Sequence, residues 1–190
     1  MTAKVGIIVD GLGDYASMKA RFKHGYFVLK TDGPRGHEAR PNQIAVASKK
    51  QIGILRAAKC AKVIVLVDVE RRTESYAEFL AALRVEFGKI DYGVVVVACA
   101  ANIMIENWYL ADILELSKRK AYIKRQKTQK RYEGRHGKNE LKKLMIKGVQ
   151  YLETKHGPDL FNELSFVRAR VISPSFDDFL DNVYLAPKDT

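Results

Sequence analysis

The chain has 190 residues, of which 47% are hydrophobic and 29% charged, proportions typical of one soluble globular domain and unlike those of a disordered chain. The longest apolar run, residues 94–101, is far too short to span a bilayer. The two cysteines, Cys60 and Cys99, cannot form a disulfide scaffold, and we expect both to be reduced core residues of a cytoplasmic protein. No secretory signal peptide is predicted, because Met1 leads almost directly into a strand.

The net charge of +11 is confined to one segment. Residues 118–147 contain thirteen Lys or Arg against Glu133 and Glu140, so the rest of the chain is neutral. Such a segment indicates either a surface for a polyanion or a solvated, disordered stretch. Because Tyr122 and Tyr132 lie among the cations, as in proteins that stack on bases, we favour a nucleic-acid surface. Its predicted contacts are Lys124, Arg125, Lys127, Lys130 and Arg131.

Four apolar segments, residues 4–10, 26–29, 62–68 and 93–98, predict buried strands. Helical patterns separate them, including residues 43–59 and 73–87, and dominate the end of the chain, where Pro174 is expected at a helix start. The alternation predicts a three-layer α/β fold with a four-stranded, mainly parallel sheet and right-handed crossovers. We expect an α/β core over residues 1–115 and a basic helical extension, 116–190, that packs on the same domain.

The third predicted strand ends in Asp68-Val-Glu70-Arg71-Arg72, and the first ends in Asp10. Parallel sheets bind ligands beyond the carboxyl ends of their strands. If these strands are neighbours, Asp10, Asp68 and Glu70 converge there, and three carboxylates that repel one another indicate a bound cation such as Mg²⁺ or Mn²⁺. The two arginines would then meet phosphate. The alternative is that Asp68 caps the next helix and the residues after it form a solvated first turn.

The turn after the first strand, Gly11-Leu-Gly13-Asp14-Tyr-Ala16, allows a second interpretation. It fits the dinucleotide-binding pattern G-x-G-x-x-A, with Asp32 near the position of a ribose-binding acid. However, Asp10 and Asp14 would place negative charge where a pyrophosphate should lie. We expect Asp14 to be the N-cap of a helix that begins at Tyr15.

Residues 106–112, Glu-Asn-Trp-Tyr-Leu-Ala-Asp, predict a further helix. Glu106 and Asp112 do not share a helical face, so one is expected to reach the site while the other caps or pairs. Trp108 and Tyr109 are expected in the core. The four histidines are scattered and lack zinc-ligand spacing.

Together, the acid and glycine after strand one, the Asp-x-acid after strand three and the Glu-x-Trp-x-Leu-Ala-Asp helix resemble the TOPRIM fold. They are similar in particular to a family of small stand-alone TOPRIM-like bacterial proteins related to the OLD nucleases. Residues 173–180, Ser-Pro-Ser-Phe-Asp-Asp-Phe-Leu, also resemble that family's ending. The family's first acid is Glu where this chain has Asp10, and its Asp-x-Asp is here Asp68-Val-Glu70.

The resemblance implies a metal-dependent nuclease in which Asp10, Asp68 and Glu70 hold one or two Mg²⁺ or Mn²⁺ ions. Glu106 would be a fourth ligand or a proton-transfer group. It also implies a role in phage defence, with an ABC- or AAA-type ATPase partner. An alternative is a nucleic-acid-binding or regulatory module without hydrolysis, consistent with the shorter acid at Asp10; a third is the nucleotide-cofactor protein.

Overall fold

The sheet is built from four strands: β1 (Lys4–Val9), β2 (Tyr26–Lys30), β3 (Cys60–Asp68) and β4 (Val95–Ala101). They pair in the order β2-β1-β3-β4, and every pair is parallel. The structure is a computed structural model that describes residues 4–33 and 38–184. The four predicted strands are confirmed, and the sheet they form is parallel throughout.

Side chains alternate between the two faces of the sheet, and each face has its own apolar core. Helices α2 (Pro41–Ala47), α3 (Lys49–Ala57) and α4 (Tyr76–Gly88) cover one face. The opposite face is covered by the remaining described helices, which are α1 (Leu12–Arg21), α5 (Glu106–Leu110), α6 (Ile113–Arg119), α7 (Gly137–Leu144), α8 (Glu153–Glu163), α9 (Phe166–Ile172) and α10 (Pro174–Tyr184). The three-layer α/β prediction is thereby confirmed in its general form.

The C-terminal helices belong to the same core as the sheet. Phe176, Phe179 and Leu180 of α10 are buried, and both phenylalanine rings pack on the fully buried Trp108 at about 5 Å between centroids. Pro174 opens α10, as expected, since its missing N–H is not needed at a helix start. The apolar core on this face therefore runs without a break from β1 into α10.

Two helices differ from their predicted bounds for local reasons. The single helix expected over residues 43–59 is divided at Ser48, which ends α2 and precedes α3. The helix expected from residue 73 begins at Tyr76, because Ser75 forms a capping box with Glu78.

The cysteines are buried free thiols, as predicted. Burial, with a contribution from the Asp178 carboxylate, raises the pKa of the Cys99 thiol to about 12, so it is inert at neutral pH. Within residues 4–33 and 38–184, no helix has both the length and the apolar character needed to cross a membrane.

The topology places a crevice between β1 and β3. These strands are neighbours, but α1 leaves β1 on one face of the sheet and α4 follows β3 on the other. The connections diverge at this switch point, and open α/β sheets bind ligands at such points. Asp10 and Asp68, at the carboxyl ends of these strands, therefore border one crevice.

Candidate functional site

Four carboxyl groups meet at this crevice, and we refer to them as the acid cluster: Asp10, Asp14, Asp68 and Glu106. Asp10 follows β1, Asp14 lies in the first turn of α1, Asp68 ends β3 and Glu106 begins α5. Asp14 experiences the negative charge of Glu106 and Asp10, and Asp68 experiences that of Asp14, Asp10 and Glu106. The structure thus brings together three of the four predicted acids, Asp10, Asp68 and Glu106, and adds Asp14.

Two of these side chains are deeply buried. Asp68 is 7% exposed, and its Oδ1 accepts the backbone N–H of Ile105 at 3.2 Å, which ties the end of β3 to the start of α5. Glu106 is 2% exposed, and its Oε1 accepts a hydrogen bond from the Tyr151 hydroxyl at 3.1 Å. Its other oxygen, Oε2, is buried and has no hydrogen-bond partner among the described residues. A buried carboxylate oxygen in this state requires a proton or a cation.

Burial and mutual repulsion hold protons on the cluster. Burial raises the pKa of Asp68 well above its ordinary value, and the carboxylates of Asp14, Asp10 and Glu106 raise it further. Burial likewise raises the pKa of Asp14, with added repulsion from Glu106 and Asp10. The pKa of Glu106 rises to about 7, chiefly through burial, while Lys138 acts in the opposite direction. Without an added cation, the cluster is therefore partly protonated at neutral pH.

Lys138 and Glu153 complete the surroundings of the cluster. The Lys138 ammonium lies 3.0 Å from a Glu153 carboxylate oxygen. Burial by itself would lower the pKa of Lys138, but attraction to Glu106 and Glu153 outweighs it and raises that pKa. Sequence analysis missed both residues, because they lie on α7 and α8 and carry no local signal.

Asp14 is not the helix cap that was expected. Helix α1 begins at Leu12 with Gly11 as its N-cap, so Asp14 occupies the third helical position. Its carboxylate folds back over the cap, where a Cβ on Gly11 would lie only 2.5 Å from Asp14 Oδ2. One sequence signal could have placed Asp14 in the site: it is an acid four residues after Asp10, in the first turn of a helix.

Gly13, in the turn after β1, allows close helix packing. A Cβ on Gly13 would lie 2.8 Å from the Cβ of Glu153, so Gly13 allows α8 to approach α1. This packing adds Glu153 to the two acids already at the start of α1, which makes the position unsuitable for a pyrophosphate. Asp32 is exposed and pairs with Lys50 at 2.7 Å. The geometry therefore weighs against the dinucleotide interpretation.

Glu70 lies beside the acid cluster in a separate pocket. With Arg71, Met104, His136 and Lys138 it lines a space of about 200 Å³, which we call the rim pocket. The backbone is unusual here: Glu70 has φ 54° and Ile103 has φ 72°, and the Glu70 N–H donates to the Ile103 carbonyl at 2.7 Å. Left-handed backbone at a β-branched residue is strained and is often found at functional sites.

The two arginines after Glu70 have different environments. Arg71 is exposed on the rim pocket. The Arg72 guanidinium donates to the Ala39 carbonyl at 2.6 Å and lies 4.0 Å from the centre of the Phe79 ring. The prediction that both arginines meet phosphate is therefore corrected for Arg72, whose side chain instead ties residue 39 to α4.

The helix motif of residues 106–112 divides its acids as expected. Glu106 enters the acid cluster, whereas buried Asp112 accepts two hydrogen bonds from Arg168, at 2.6 and 2.9 Å, and the backbone N–H of Ser165. Trp108 and Tyr109 are core residues, at 0% and 1% exposure. The core positions of Trp108 and Tyr109 and the pairing of Asp112 are thereby confirmed.

The basic segment is exposed, but its tyrosines are not. We call the five predicted cations the basic surface, and none of them forms an ion pair with another described residue: Lys124, Arg125, Lys127, Lys130 and Arg131. Tyr132 is 6% exposed, and half-buried Tyr122 donates its hydroxyl to Asp159 at 2.5 Å. The expectation that these tyrosines stack on bases is therefore wrong.

The basic segment is joined to the acid cluster through Asn107. The side-chain amide of Asn107, next to Glu106, donates to the carbonyls of Tyr132 and Arg135 at 2.7 and 2.9 Å. The chain then passes through His136, which caps α7, to Lys138. Cations and acids are thereby fixed relative to each other.

No group of three or more His, Cys, Asp or Glu side chains in residues 4–33 and 38–184 is arranged to hold a metal ion. The donor chemistry of the acid cluster nevertheless fits a hard divalent cation, because all its side-chain donors are carboxylate oxygens and Glu106 Oε2 is buried without a partner in the part of the chain that the structure describes. A cation entering the cluster would replace protons and draw the carboxylates together.

Comparisons with protein-family models, characterised proteins and solved structures found no match.

The raised pKa of Glu106 predicts a pH-dependent effect of Glu106→Gln on stability. The native state keeps this proton between the ordinary pKa of 4.5 and about 7, whereas the unfolded state loses it, so wild-type stability falls as pH rises through that window. Glu106→Gln should therefore raise the free energy of unfolding at pH 8 by up to about 3 kcal/mol, with little change at pH 4. Urea unfolding at both pH values measures this.

Glu74→Gln, at an exposed position outside the acid cluster, serves as the control and should show no such dependence. Equal effects of Glu106→Gln at both pH values would contradict the account of a buried, protonated Glu106.

Proposed function

We propose that the chain is a TOPRIM-like, metal-dependent phosphodiesterase that acts on nucleic acid, with Mg²⁺ or Mn²⁺ held by the acid cluster. The observation that carries this proposal is Glu106 Oε2, which is buried beside two other carboxyls and has no hydrogen-bond partner in residues 4–33 and 38–184. Carboxylates in a poorly solvated crevice need a compensating ligand, because burying each charge costs several kcal/mol.

The arrangement of the sheet supports the TOPRIM assignment. The resemblance implies acids at the ends of the first and third strands, and β1 and β3 are neighbours with Asp10 and Asp68 at their carboxyl ends. Asp10, Asp14 and Asp68 would hold the cation, and Glu70 approaches from the rim pocket. When bound, the cation supplies an activated water and offsets charge on the reacting phosphate.

The chain's own residues would bind and orient the substrate. Lys138 borders both the acid cluster and the rim pocket, where its ammonium can contact a phosphate oxygen. Arg71 supplies a second cation on the same pocket, and its planar guanidinium suits phosphate recognition. Glu106, with a pKa of about 7, can release its proton near neutral pH when a cation enters the cluster.

The basic surface would hold the polyanion beyond the reacting group. Its cations are exposed, and the hydrogen bonds of Asn107 fix the segment that carries them against the acid cluster. Contacts to phosphates fix register and orientation without reading sequence. A nucleic acid bound along this surface would therefore present a phosphodiester to the rim pocket.

A second candidate function is nucleic-acid binding without hydrolysis. It is favoured by the way the charges are balanced in the structure: Lys138 pairs with Glu153 and attracts Glu106, so the cluster is compensated in part by a protein cation. The side chain of Asp10, which is one methylene shorter than the family's Glu, also favours binding without hydrolysis. Cleavage assays separate the two functions.

Asp68→Asn should reduce cleavage by at least about 100-fold, because it removes a charged oxygen ligand while preserving shape. Binding to the same substrate should persist, since the basic surface is intact. Asp32→Asn, which alters an exposed acid away from the crevice, is the control and should cleave normally. Wild-type protein that binds nucleic acid but cleaves none with Mg²⁺ or Mn²⁺ would support the binding module.

Replacing the five residues of the basic surface with Ser should flatten the salt dependence of nucleic-acid binding. Each lost phosphate contact removes about 0.9 from the log–log slope, so the loss of all five should lower the slope by up to about 4.5. Fluorescence anisotropy across a salt series measures it. The charge-matched control replaces five exposed lysines elsewhere: Lys4, Lys19, Lys23, Lys49 and Lys89. Equal slopes for the two variants would mean that the basic segment is only a solvated face and not a nucleic-acid surface.

A further inference from the structure

A network of buried hydroxyl groups lies behind Glu106, between α1, α5 and α8. The Tyr151 hydroxyl donates to Glu106 Oε1 at 3.1 Å. Nearby, the Tyr109 hydroxyl donates to Ser17 Oγ at 2.9 Å, and Ser17 in turn donates to the Gly13 carbonyl at 2.9 Å. The three hydroxyl-bearing residues are at most 5% exposed, so water does not compete freely for these bonds.

Gly157 makes this arrangement possible. A Cβ at this position of α8 would lie 2.8 Å from Ser17 Oγ, 3.5 Å from the Tyr109 hydroxyl oxygen and 3.7 Å from the Tyr151 hydroxyl oxygen. With no side chain here, α8 packs closely on α1 and the three hydroxyls face one small space.

The Tyr151 ring is held in one orientation by its neighbours. It stacks on His156, with 5.9 Å between ring centroids and an angle of 27°. His156 is itself fixed, because its Nδ1 accepts the Leu152 backbone N–H at 2.9 Å and its ring contacts Tyr122 at 4.9 Å. The hydroxyl of Tyr151 therefore has a defined position.

The hydrogen bond from Tyr151 makes the two carboxylate oxygens of Glu106 inequivalent. The terminal torsion of a glutamate is broad and needs an external contact to fix it. Here Oε1 is bound by Tyr151, while Oε2 is buried and lacks a hydrogen-bond partner in the described part of the chain. Nothing in the hydroxyl network satisfies Oε2, which leaves it available to a ligand in the acid cluster.

We infer that Tyr151 is a positioning residue: by holding Glu106 Oε1 it presents Oε2 to a divalent cation in the acid cluster, which makes Glu106 a direct ligand of that cation. This inference rests on the proposed function. Residues that orient a metal ligand in this way change metal affinity by about 10- to 100-fold when they are replaced. A tyrosine that only filled the core would affect stability without acting through Glu106.

The test is a double-mutant cycle on Mn²⁺ affinity, measured by calorimetry or electron paramagnetic resonance without substrate. Tyr151→Phe should weaken Mn²⁺ binding about tenfold in the wild-type background. In a Glu106→Gln background it should add no further loss, because the effect is transmitted through the carboxylate. Tyr109→Phe removes a neighbouring buried hydroxyl that bonds to Ser17 and should leave Mn²⁺ affinity unchanged.

The inference is overturned if Tyr151→Phe leaves Mn²⁺ affinity intact, or weakens it equally with and without Glu106. Wild-type protein that binds no Mn²⁺ would remove the proposed function as well, so the two failures are distinguishable. Phe preserves the volume of the ring, and thermal unfolding checks each variant. Tyr151→Leu, a second variant without the hydroxyl, replaces it if Tyr151→Phe does not fold.

Discussion

Repulsion among buried carboxyl groups at the ends of β1 and β3 is the constraint on which the rest of this structure depends. Burial raises the pKa values of Asp14, Asp68 and Glu106, and each remaining charge makes the next ionisation harder. The protein compensates with Lys138, with the N–H of Ile105 and with retained protons. In the proposed function, these protons would exchange for a divalent cation.

The fold places this repulsion at the switch point of the sheet. Connections leave β1 and β3 on opposite faces of the sheet, which opens the crevice between them. Helix α8 packs closely on α1 across Gly13 and Gly157, and it brings Glu153 toward the acid cluster. The basic segment, tied to Asn107, delivers Lys138 from the other side. Acids and cations therefore come from distant parts of the chain.

The sequence predicts what local patterns encode. Unbroken apolar runs mark the strands, and an acid directly after such a run marks the sheet edge, so Asp10 and Asp68 could be identified. The places of Lys138, Glu153 and Tyr151 depend on contacts between helices far apart in the chain, for which a single sequence holds no signal. Arg72 and Tyr122 were misplaced for a related reason: long amphipathic side chains are used in packing as readily as in binding.

The central claim is that the acid cluster exchanges protons for a divalent cation. Calorimetric titration with Mn²⁺ at pH 7, repeated in buffers of different ionisation enthalpy, tests it most directly because it counts the protons released on binding. The account predicts binding with net proton release and an affinity that rises with pH between 6 and 8. Binding without proton release, or no binding at all, would contradict it.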